Sequence, residues 1–254
     1  MQAARTLSGV DLPEPFRMDD THITAELPGA RLLFSTRRGG VSQGPFDSLN
    51  LGLLTDDAPE NVRENRRRLG EAVGPPWERF CYGRQVHGAT VRRATEPPSE
   101  QRPYTHEDGQ ATTLTDAAAI VFVADCLPVL LAAPEGVAAL HCGWRPLAAG
   151  IIEEGVKALR ELGVSAEIQA AIGPGARGCC YDVGEEVHEQ FARFDARRGE
   201  RNLDLAAVAS QQLHEAGITA VHDTGLCTIC DDAFFSHRRD RGITGRQAGV
   251  VCRA

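Results

Sequence analysis

Two short apolar runs in the middle of the chain constrain its fold more than any other feature. AAAIVFVADC and GVAALHC are rich in Ala, Val and Ile, and such short continuous runs are typical of strands buried on both faces. The first run ends at Cys126, and the second reaches His141. The pattern therefore predicts that a thiol and an imidazole lie at the ends of two buried strands.

Helical and strand patterns are interspersed along the rest of the chain. Helices are predicted for APENVRENRRRLGEAV, PLAAGIIEEGVKALREL, VGEEVHEQFARF and LDLAAVASQQLHEAG, and further strands for RLLFSTR, EIQAAIG and GVVCRA. Because these elements do not follow strict βαβ alternation, the predicted fold class is α/β, of the layered α+β type. The polar, proline-rich residues 94–111 are expected to form a surface loop, and no domain boundary is visible.

The composition and charge exclude several functional classes. The chain carries 27 Lys and Arg against 35 Asp and Glu, a formal net charge of -8, so no basic surface for nucleic acid or an anionic membrane is expected. The N-terminus has no apolar signal-peptide core, and no stretch approaches the roughly 18 to 20 apolar residues of a membrane span. A cytoplasmic location is the expectation, with the eight cysteines reduced.

Three short motifs point only weakly to function. The segment 173–178, GPGARG, matches G-x-G-x-x-G, but Pro174 and the following CCYD leave no helix opening on it, which favours a structural turn over a dinucleotide site. Cys227 and Cys230 form one C-x-x-C pair without a second pair at similar spacing, so they are interpreted as buried or site-lining thiols, with a redox pair as the alternative. The arginines of FFSHRRD and TGR suit phosphate binding and surface ion pairing equally well.

His87, Cys126 and His141 form a more specific pattern. His87 lies 39 residues before Cys126, and His141 lies 15 residues after it. Structural zinc sites take four ligands in close pairs, whereas three dispersed ligands leave a position open for water or substrate. The spacing therefore predicts a catalytic zinc site, in which a copper ion is also possible because Cu²⁺ binds such ligands more tightly.

The neighbours of these residues suit a metal site, but two other interpretations stay open. Asp125 precedes Cys126 and is a candidate for a hydrogen bond to a ligand or for proton transfer, while Gly88 and Gly143 allow close approach of the backbone. In one alternative the two histidines and the cysteine are unconnected structural residues. In the other, Cys126 and His141 form a metal-free nucleophilic dyad.

The order of the motifs resembles that of a known family. The chain contains, in the order found in the laccase-domain family, FSTRRGGVSQGPFDSLNLG, NVRENRRRL, QVHG, ADCLPVLL, HCGWRPLAAGI, AIGPGARGCCYDVG, CT, FFSHRRD and TGR. These proteins were first described as multicopper polyphenol oxidoreductases and are now described as zinc-dependent purine nucleoside phosphorylases with adenosine deaminase activity. The resemblance begins near Leu32, so residues 1–28 are expected to be a variable segment of a single domain spanning 1–254.

The resemblance implies a fold and a ligand set. The fold is a single-domain α/β/β/α sandwich with mixed sheets, and the family's metal ligands fall on His87, Cys126 and His141. The implied partners are small purine nucleosides and phosphate, with no nucleic acid and no membrane, whereas the oligomeric state is not set. Two departures from the family pattern, Cys142 in place of alanine and Pro146 in place of glycine, are expected to reshape the substrate entrance.

The older description of the family can be tested by counting histidines. A multicopper oxidase needs around ten, mostly in His-x-His pairs, together with a cysteine for the blue copper. This chain has eight, at positions 22, 87, 106, 141, 188, 214, 222 and 237, and it contains no His-x-His pair. A laccase-type copper set therefore cannot be built within one chain.

The predicted function is that of a phosphorylase that cleaves the N-glycosidic bond of purine nucleosides and that also deaminates adenosine. In deamination a zinc ion would activate water for attack on C6 of the purine. Arg37 and Arg145 are candidates for holding phosphate, Asn50 and Gln85 for recognising ribose or base, and Asp125 for carrying a proton. The alternatives are a metal-free cysteine hydrolase and a copper-dependent polyphenol oxidase.

Overall fold

The computed structural model describes residues 11–19, 21–96, 98 and 105–254 and shows a mixed α/β fold. The strands are β1 (Arg17–Met18), β2 (His22–Leu27), β3 (Ala30–Ser35), β4 (Phe80–Cys81), β5 (Val91–Ala94), β6 (Gly109–Thr112), β7 (Ala118–Val123), β8 (Leu127–Ala133), β9 (Gly136–Cys142), β10 (Gln169–Ile172), β11 (Arg197–Arg198), β12 (Asn202–Leu203), β13 (Val221–Asp223) and β14 (Gln247–Arg253). The helices are α1 (Pro59–Val73), α2 (Trp144–Ala148), α3 (Ile151–Glu161), α4 (Glu185–Gln190) and α5 (Leu205–Glu215), with short 3₁₀ turns at Gly44–Phe46 and Trp77–Arg79.

Two six-stranded sheets form the centre of the molecule. The first has the order β1-β2-β3-β14-β7-β4, and the second has the order β13-β10-β8-β9-β6-β5. Both sheets are mixed, because β4 runs parallel to β7, β13 to β10 and β5 to β6, whereas the other pairs are antiparallel. The last strand, β14, lies between β3 and β7, so the C-terminal segment completes the first sheet.

Strand β8 shows how the continuous apolar runs are used. Leu130 and Ala132 face the core between the two sheets, whereas Val129 and Leu131 face a second core on the other side. Both faces of the strand are buried because the side chains of a strand alternate and both faces are covered by other elements. The apolar runs AAAIVFVADC and GVAALHC contribute β7 and β9 in the same way, which confirms that they form buried strands.

Helices cover the outer faces of the two sheets. Leu69 and Val73 of α1 join the core on the outer face of the first sheet. On the outer face of the second sheet, α3 and α5 contribute Ile152, Leu159 and Val208. The layers are therefore α/β/β/α, as predicted, and the chain forms a single-domain fold. Within the ranges that the structure describes, no helix is long and apolar enough to cross a membrane.

Three elements differ from the predictions. The helix predicted over 146–162 is divided into α2 and α3 by Gly150, whose left-handed backbone (φ 84°) interrupts the helix. The helix predicted over 183–194 covers only Glu185–Gln190. The stretch 94–111 was expected to be a surface loop, yet its last residues form β6 and are buried; residues 97 and 99–104 lie outside the described residues.

Phe34 on β3 lies at the centre of the contact between the sheets, where only 1% of it is exposed. Its ring fills the space next to Gly173 and Gly249, two positions at which a side chain would collide with the ring or with Pro128. We expect Phe34→Ala to lower the free energy of unfolding by about 3 to 5 kcal/mol, because a cavity would remain between the sheets. Urea denaturation measures this free energy. Leu54→Ala is the control, since its side chain is 85% exposed, and it should change the free energy of unfolding by less than about 0.5 kcal/mol. Equal changes for the two variants would contradict this description of the core.

Candidate metal centre

The structure brings His87, Cys126 and His141 together at one end of the second sheet. Cys126 precedes β8 and His141 lies on β9, and the register of these paired strands, Leu127 opposite Cys142, places the two side chains next to each other. The ligand atoms of all three residues lie within 4.8 Å of one another. The Cys126 Sγ is 4.0 Å from the His87 Nε2. The imidazole rings of His87 and His141 pack edge to face, with their centroids 4.8 Å apart.

The donor set fits a zinc ion. Zn–S and Zn–N bonds of about 2.3 and 2.0 Å at a tetrahedral angle place sulfur and nitrogen about 3.5 Å apart, which is about half an ångström less than the distance from the Cys126 Sγ to the His87 Nε2. The Nδ1 of His141 is taken up by a hydrogen-bonding carboxylate, which leaves Nε2 as the atom that can face a metal. Three protein ligands leave one tetrahedral position for a further ligand, as catalytic zinc sites require.

Asp108 organises this site, and the sequence analysis did not find it. Its buried carboxylate lies 2.8 Å from the His141 Nδ1 and accepts hydrogen bonds from the backbone N–H groups of Val86, His87 and Gly88. Burial raises the pKa of Asp108, but the hydrogen bonds from His141 and the backbone outweigh burial and lower it. A carboxylate that orients a ligating histidine is a common feature of zinc sites. In the sequence, Asp108 is one acidic residue within the polar stretch 94–111, which predicts a surface loop, so nothing local marks it as a partner of His141.

The backbone around the ligands is constrained. Among the described residues only three non-glycine residues have positive φ, and two of them, His87 (φ 61°) and Asp125 (φ 88°), are at this site. Such conformations cost free energy and persist where the surrounding contacts hold them. A Cβ on Gly143 would lie 2.7 Å from the Cys126 Sγ, so the close approach predicted for this glycine is confirmed. Gly88 does not need to be glycine for space, because a Cβ there would make ordinary contacts.

The thiol and the imidazole polarise each other. Burial disfavours the thiolate of Cys126, but the charge of His141 and hydrogen bonds from both histidines lower the pKa of Cys126 to about 6. Burial likewise disfavours the charged form of His141, but the Cys126 thiolate and Asp108 raise its pKa to about 9. The site therefore favours the thiolate, which is the form that binds a metal or acts as a nucleophile.

Asp125, the predicted proton carrier, is buried beside Cys126 and is occupied on both carboxylate oxygens. One oxygen accepts a hydrogen bond from the Thr228 hydroxyl at 2.7 Å, and the other accepts one from the backbone N–H of Arg238, also at 2.7 Å. Its main-chain carbonyl accepts a third from Ala176. These contacts hold the segments around Ala176, Thr228 and Arg238 against the strand end that carries Cys126.

The guanidinium of Arg238 lies over the ring of Tyr181, 5.3 Å from the ring centroid. Tyr181 interacts with Cys126, Arg145 and Arg238, and burial, together with the Cys126 charge, raises the pKa of Tyr181 to about 12 despite the two arginines. Burial lowers the pKa of Arg246, and the charge of Cys126 acts in the opposite direction. Arg145, Arg238 and Arg246 are therefore candidates for binding an anion near Cys126. Of these three, the sequence predicts a phosphate role for Arg145, whereas the arginines of RRD and TGR suit phosphate binding and ion pairing equally well.

The structure gives Arg37 a different environment from that of Arg145. Its Nε donates a hydrogen bond to the carbonyl of Asp47 at 2.6 Å, and its guanidinium stacks over Phe235. Burial lowers its pKa, as does the charge of Arg239. No described contact joins Arg37 to the three predicted ligands. Arg145 is exposed and stacks on Trp144.

The two predicted amide contacts to the substrate are used inside the protein. The amide of Asn50, which is fully buried, accepts hydrogen bonds from Gly52 and Arg246 and donates to Thr55 and Asp57, which occupies all four of its positions. The Asn50 side chain thus holds the backbone of Arg246 and has no free group for ribose or base.

The Gln85 amide likewise pairs with protein. The amide donates a hydrogen bond to the carbonyl of Phe122 and accepts one from the backbone N–H of Phe122. This pair of hydrogen bonds ties the loop that carries His87 to the end of β7. Half of its hydrogen-bonding capacity remains for other partners.

The two departures from the family pattern lie in the interior. Cys142 is fully buried in the core beneath α3 and α5, on the face of β9 opposite to that of His141. The expectation that it reshapes the substrate entrance is therefore wrong. Pro146 is the third residue of α2, where a backbone N–H has no partner within the helix, so proline is accommodated there.

Comparison with known proteins identifies the family. A family model described as multi-copper polyphenol oxidoreductase laccase matches residues 31–254. The chain belongs to this family. It is 41% identical over 236 residues to a protein named purine nucleoside phosphorylase from Pseudomonas aeruginosa, covering 87% of this chain and 92% of that one. It is 37% identical over 230 residues to a protein of the same name from Corynebacterium glutamicum, covering 87% and 93%.

Solved structures of the family share the fold. The crystal structure of the hypothetical protein YfiH from Bacillus licheniformis has a TM-score of 0.87 and is 30% identical, covering 95% of this chain and 100% of that one. That of YlmD from Geobacillus stearothermophilus has a TM-score of 0.83 and is 32% identical, covering 95% and 99%. The resemblance expected from the motifs is therefore confirmed.

The family description mentions several coppers, but the histidines of this chain do not come together into a multicopper site, as their number in the sequence predicts. Among the described residues only two groups of three or more ligating side chains come together, and only the group of His87, Cys126 and His141 contains histidine. This chain therefore offers one mixed nitrogen and sulfur site.

We expect Asp108→Asn to weaken zinc binding about 10- to 100-fold, because the amide nitrogen cannot accept the backbone hydrogen bonds and His141 loses its charged partner. Competition with a chromophoric chelator measures the dissociation constant. Asp116→Asn is the matched control, since Asp116 is exposed and pairs with Arg79 on the surface. Unchanged zinc affinity in a folded Asp108→Asn protein would refute the orienting role.

Proposed function

We propose that this protein is a zinc-dependent purine nucleoside phosphorylase acting at His87, Cys126 and His141. A phosphate oxygen attacks C1′ of the ribose, and the bond from C1′ to the purine nitrogen breaks with its electron pair on the base. The products are ribose 1-phosphate and the free purine, which takes up a proton. The observation that carries the proposal is the convergence of His87, Cys126 and His141 into one group of three ligands, and the names of the relatives support it. The arginines proposed to act there are Arg145, Arg238 and Arg246.

A zinc ion held by the three ligands would supply a Lewis acid next to these arginines. The chain's own residues prepare its position: Asp108 fixes the ring of His141, and Gly143 leaves room for the Cys126 sulfur. A copper ion bound by the same ligands is compatible with the donor types.

The arginines are proposed to bind and orient the phosphate. Arg145, Arg238 and Arg246 provide guanidinium groups, whose planar donors match phosphate oxygens in pairs. With its pKa raised to about 12, Tyr181 keeps its proton at neutral pH, and its hydroxyl can donate a hydrogen bond to phosphate or ribose. Asp125, with both carboxylate oxygens accepting hydrogen bonds, is better suited to positioning Cys126 than to carrying a proton.

The proposed substrates are adenosine, inosine, guanosine and S-methyl-5′-thioadenosine. A second proposed activity is adenosine deamination, in which water replaces the 6-amino group to give inosine and ammonia. Cytidine-type deaminases use an H-x-E motif together with P-C-x-x-C. This chain lacks that signature, so deamination would depend on the His87, Cys126 and His141 site.

One observation favours a second candidate function. The lowered pKa of Cys126 beside His141 is also the arrangement of a metal-free cysteine hydrolase. Such an enzyme would stay active after chelation and would be inactivated by alkylation of Cys126. A copper-dependent polyphenol oxidase would instead need oxygen.

We expect adenosine incubated with protein and phosphate under anaerobic conditions to yield adenine and ribose 1-phosphate, and to yield only inosine when phosphate is absent. Chromatography of the products separates these outcomes, and the other three nucleosides are tested in parallel. Chelation should abolish activity and added zinc should restore it, since the ligands lie at the reacting centre. If no purine base is released from any of the four nucleosides at saturating phosphate, the phosphorylase proposal is wrong.

We expect Arg145→Ala to lower phosphorolysis about tenfold or more while changing deamination less, because the loss of a charged hydrogen bond costs about 1.5 to 3 kcal/mol. Arg37→Ala should lower both activities together, since the guanidinium of Arg37 fixes the 37–49 loop through Asp47. Initial rates against phosphate concentration measure the effect on protein shown to retain its metal. Arg193→Ala, which breaks a surface pair with Glu215, is the neutral control. A drop confined to phosphorolysis in Arg37→Ala would reverse the two assignments.

A further inference from the structure

Four cysteines that the sequence divides into two separate pairs meet in the structure. Cys179 and Cys180 follow the glycine-containing turn of residues 173–178, and Cys227 and Cys230 lie in the segment after β13. Their four sulfur atoms lie within 4.8 Å of one another. Four of the six sulfur–sulfur separations run from 3.3 Å between Cys180 and Cys227 to 3.6 Å between Cys179 and Cys230.

The main chain brings the two pairs together. Gly175 forms a parallel bridge with Cys227. Its N–H donates to the carbonyl of Leu226 at 3.3 Å, and its carbonyl accepts from the N–H of Thr228 at 3.0 Å. The two segments therefore run side by side, and the thiols at their ends face each other because of the backbone pairing.

The sulfur positions match a single tetrahedral ion. In a tetrathiolate zinc site, bonds of about 2.3 Å place the sulfurs about 3.8 Å apart, close to the separations found here. All four cysteines are free thiols, and their distances are well above the roughly 2.05 Å of a disulfide. We propose that Cys179, Cys180, Cys227 and Cys230 bind one zinc ion in a closed site of four thiolates.

Simple packing does not account for the cluster. Cysteines that serve as small apolar residues are buried, as Cys81 and Cys252 are in this chain. Cys179 and Cys230, by contrast, are exposed. Four thiols at a surface, two of them in contact with solvent, bury little apolar area, so their convergence calls for a ligand.

The local chemistry suits a cation. Burial disfavours the thiolate of Cys227, but the backbone N–H of Cys230 and the Cys180 side chain donate hydrogen bonds to it and lower its pKa. Burial raises the pKa of Cys179 to about 11, and the side chains of Cys227 and Cys230 act in the same direction, whereas that of Cys180 lowers it. A divalent ion would supply the charge that allows closely spaced thiols to ionise.

The proposed ion would connect segments that are 47 residues apart along the chain. Both segments hold Asp125: the Ala176 N–H donates to its carbonyl, and the Thr228 hydroxyl donates to its carboxylate. With four protein ligands no position stays open for water, so this ion is structural. It stabilises the support of Cys126 without taking part in the reaction.

The test counts metal in variants purified under reducing conditions and washed with a weak chelator. Cys126→Ala removes the thiolate of the His87, Cys126 and His141 site, and Cys227→Ser with Cys230→Ser removes half of the proposed site. Mass spectrometry of the metal should give about two zinc ions per wild-type chain and about one in each of these two proteins. Cys252→Ala, at a buried thiol outside both groups, is the control and should keep both ions.

The identity of the ligands is read directly from the Cys126→Ala protein. Its zinc X-ray absorption spectrum should show about four sulfur neighbours near 2.3 Å, and removing this ion with a strong chelator should lower the Tm. These two measurements also apply if the double serine variant does not fold. A Cys126→Ala protein without zinc, a spectrum dominated by nitrogen or oxygen, iron in place of zinc, or the four cysteines found as disulfides would each overturn the proposal.

Discussion

The buried carboxylate of Asp108 is the interaction on which the site depends. It accepts hydrogen bonds from three consecutive backbone amides, those of Val86, His87 and Gly88, and it also holds the ring of His141. A buried charge is costly unless its hydrogen-bonding capacity is filled. For Asp108 the partners are the backbone of the turn that carries His87 and the side chain of His141. The same contacts explain how His87 keeps its positive φ.

A second clamp acts on the third ligand. Asp125, next to Cys126, joins the 173–178 turn and the segments around Thr228 and Arg238 through its carbonyl and carboxylate. The Arg238 side chain lies over Tyr181. The candidate ligand Cys126, Arg238 and the four-cysteine cluster are therefore connected through Asp125. Changes in one part are expected to act on the others through Asp125.

Much of the fold and the three ligand candidates could be predicted because their signals are local. Apolar runs buried on both faces indicate strands whatever their partners are, and motif order indicates the family. Asp108 was missed because a polar, proline-rich stretch resembles a loop, although its end pairs with β9. Asn50 and Gln85 were assigned to the substrate because an amide in a motif shows chemical capacity, whereas only its neighbours decide whether that capacity is already used.

The sequence by itself determined the buried strands, the ligand types and their wide spacing, since these follow from side-chain chemistry and short-range pattern. The tertiary structure alone decided which residues face each other. Cys179 and Cys180 become partners of Cys227 and Cys230 through a backbone bridge at Gly175. Arg145 and Arg37, equal in sequence as phosphate candidates, differ in their surroundings, because the Arg37 guanidinium holds the carbonyl of Asp47 whereas Arg145 is exposed. The physical reason is that hydrogen bonds and metal coordination act over a few ångströms, and the chain reaches those distances only after the two sheets have packed.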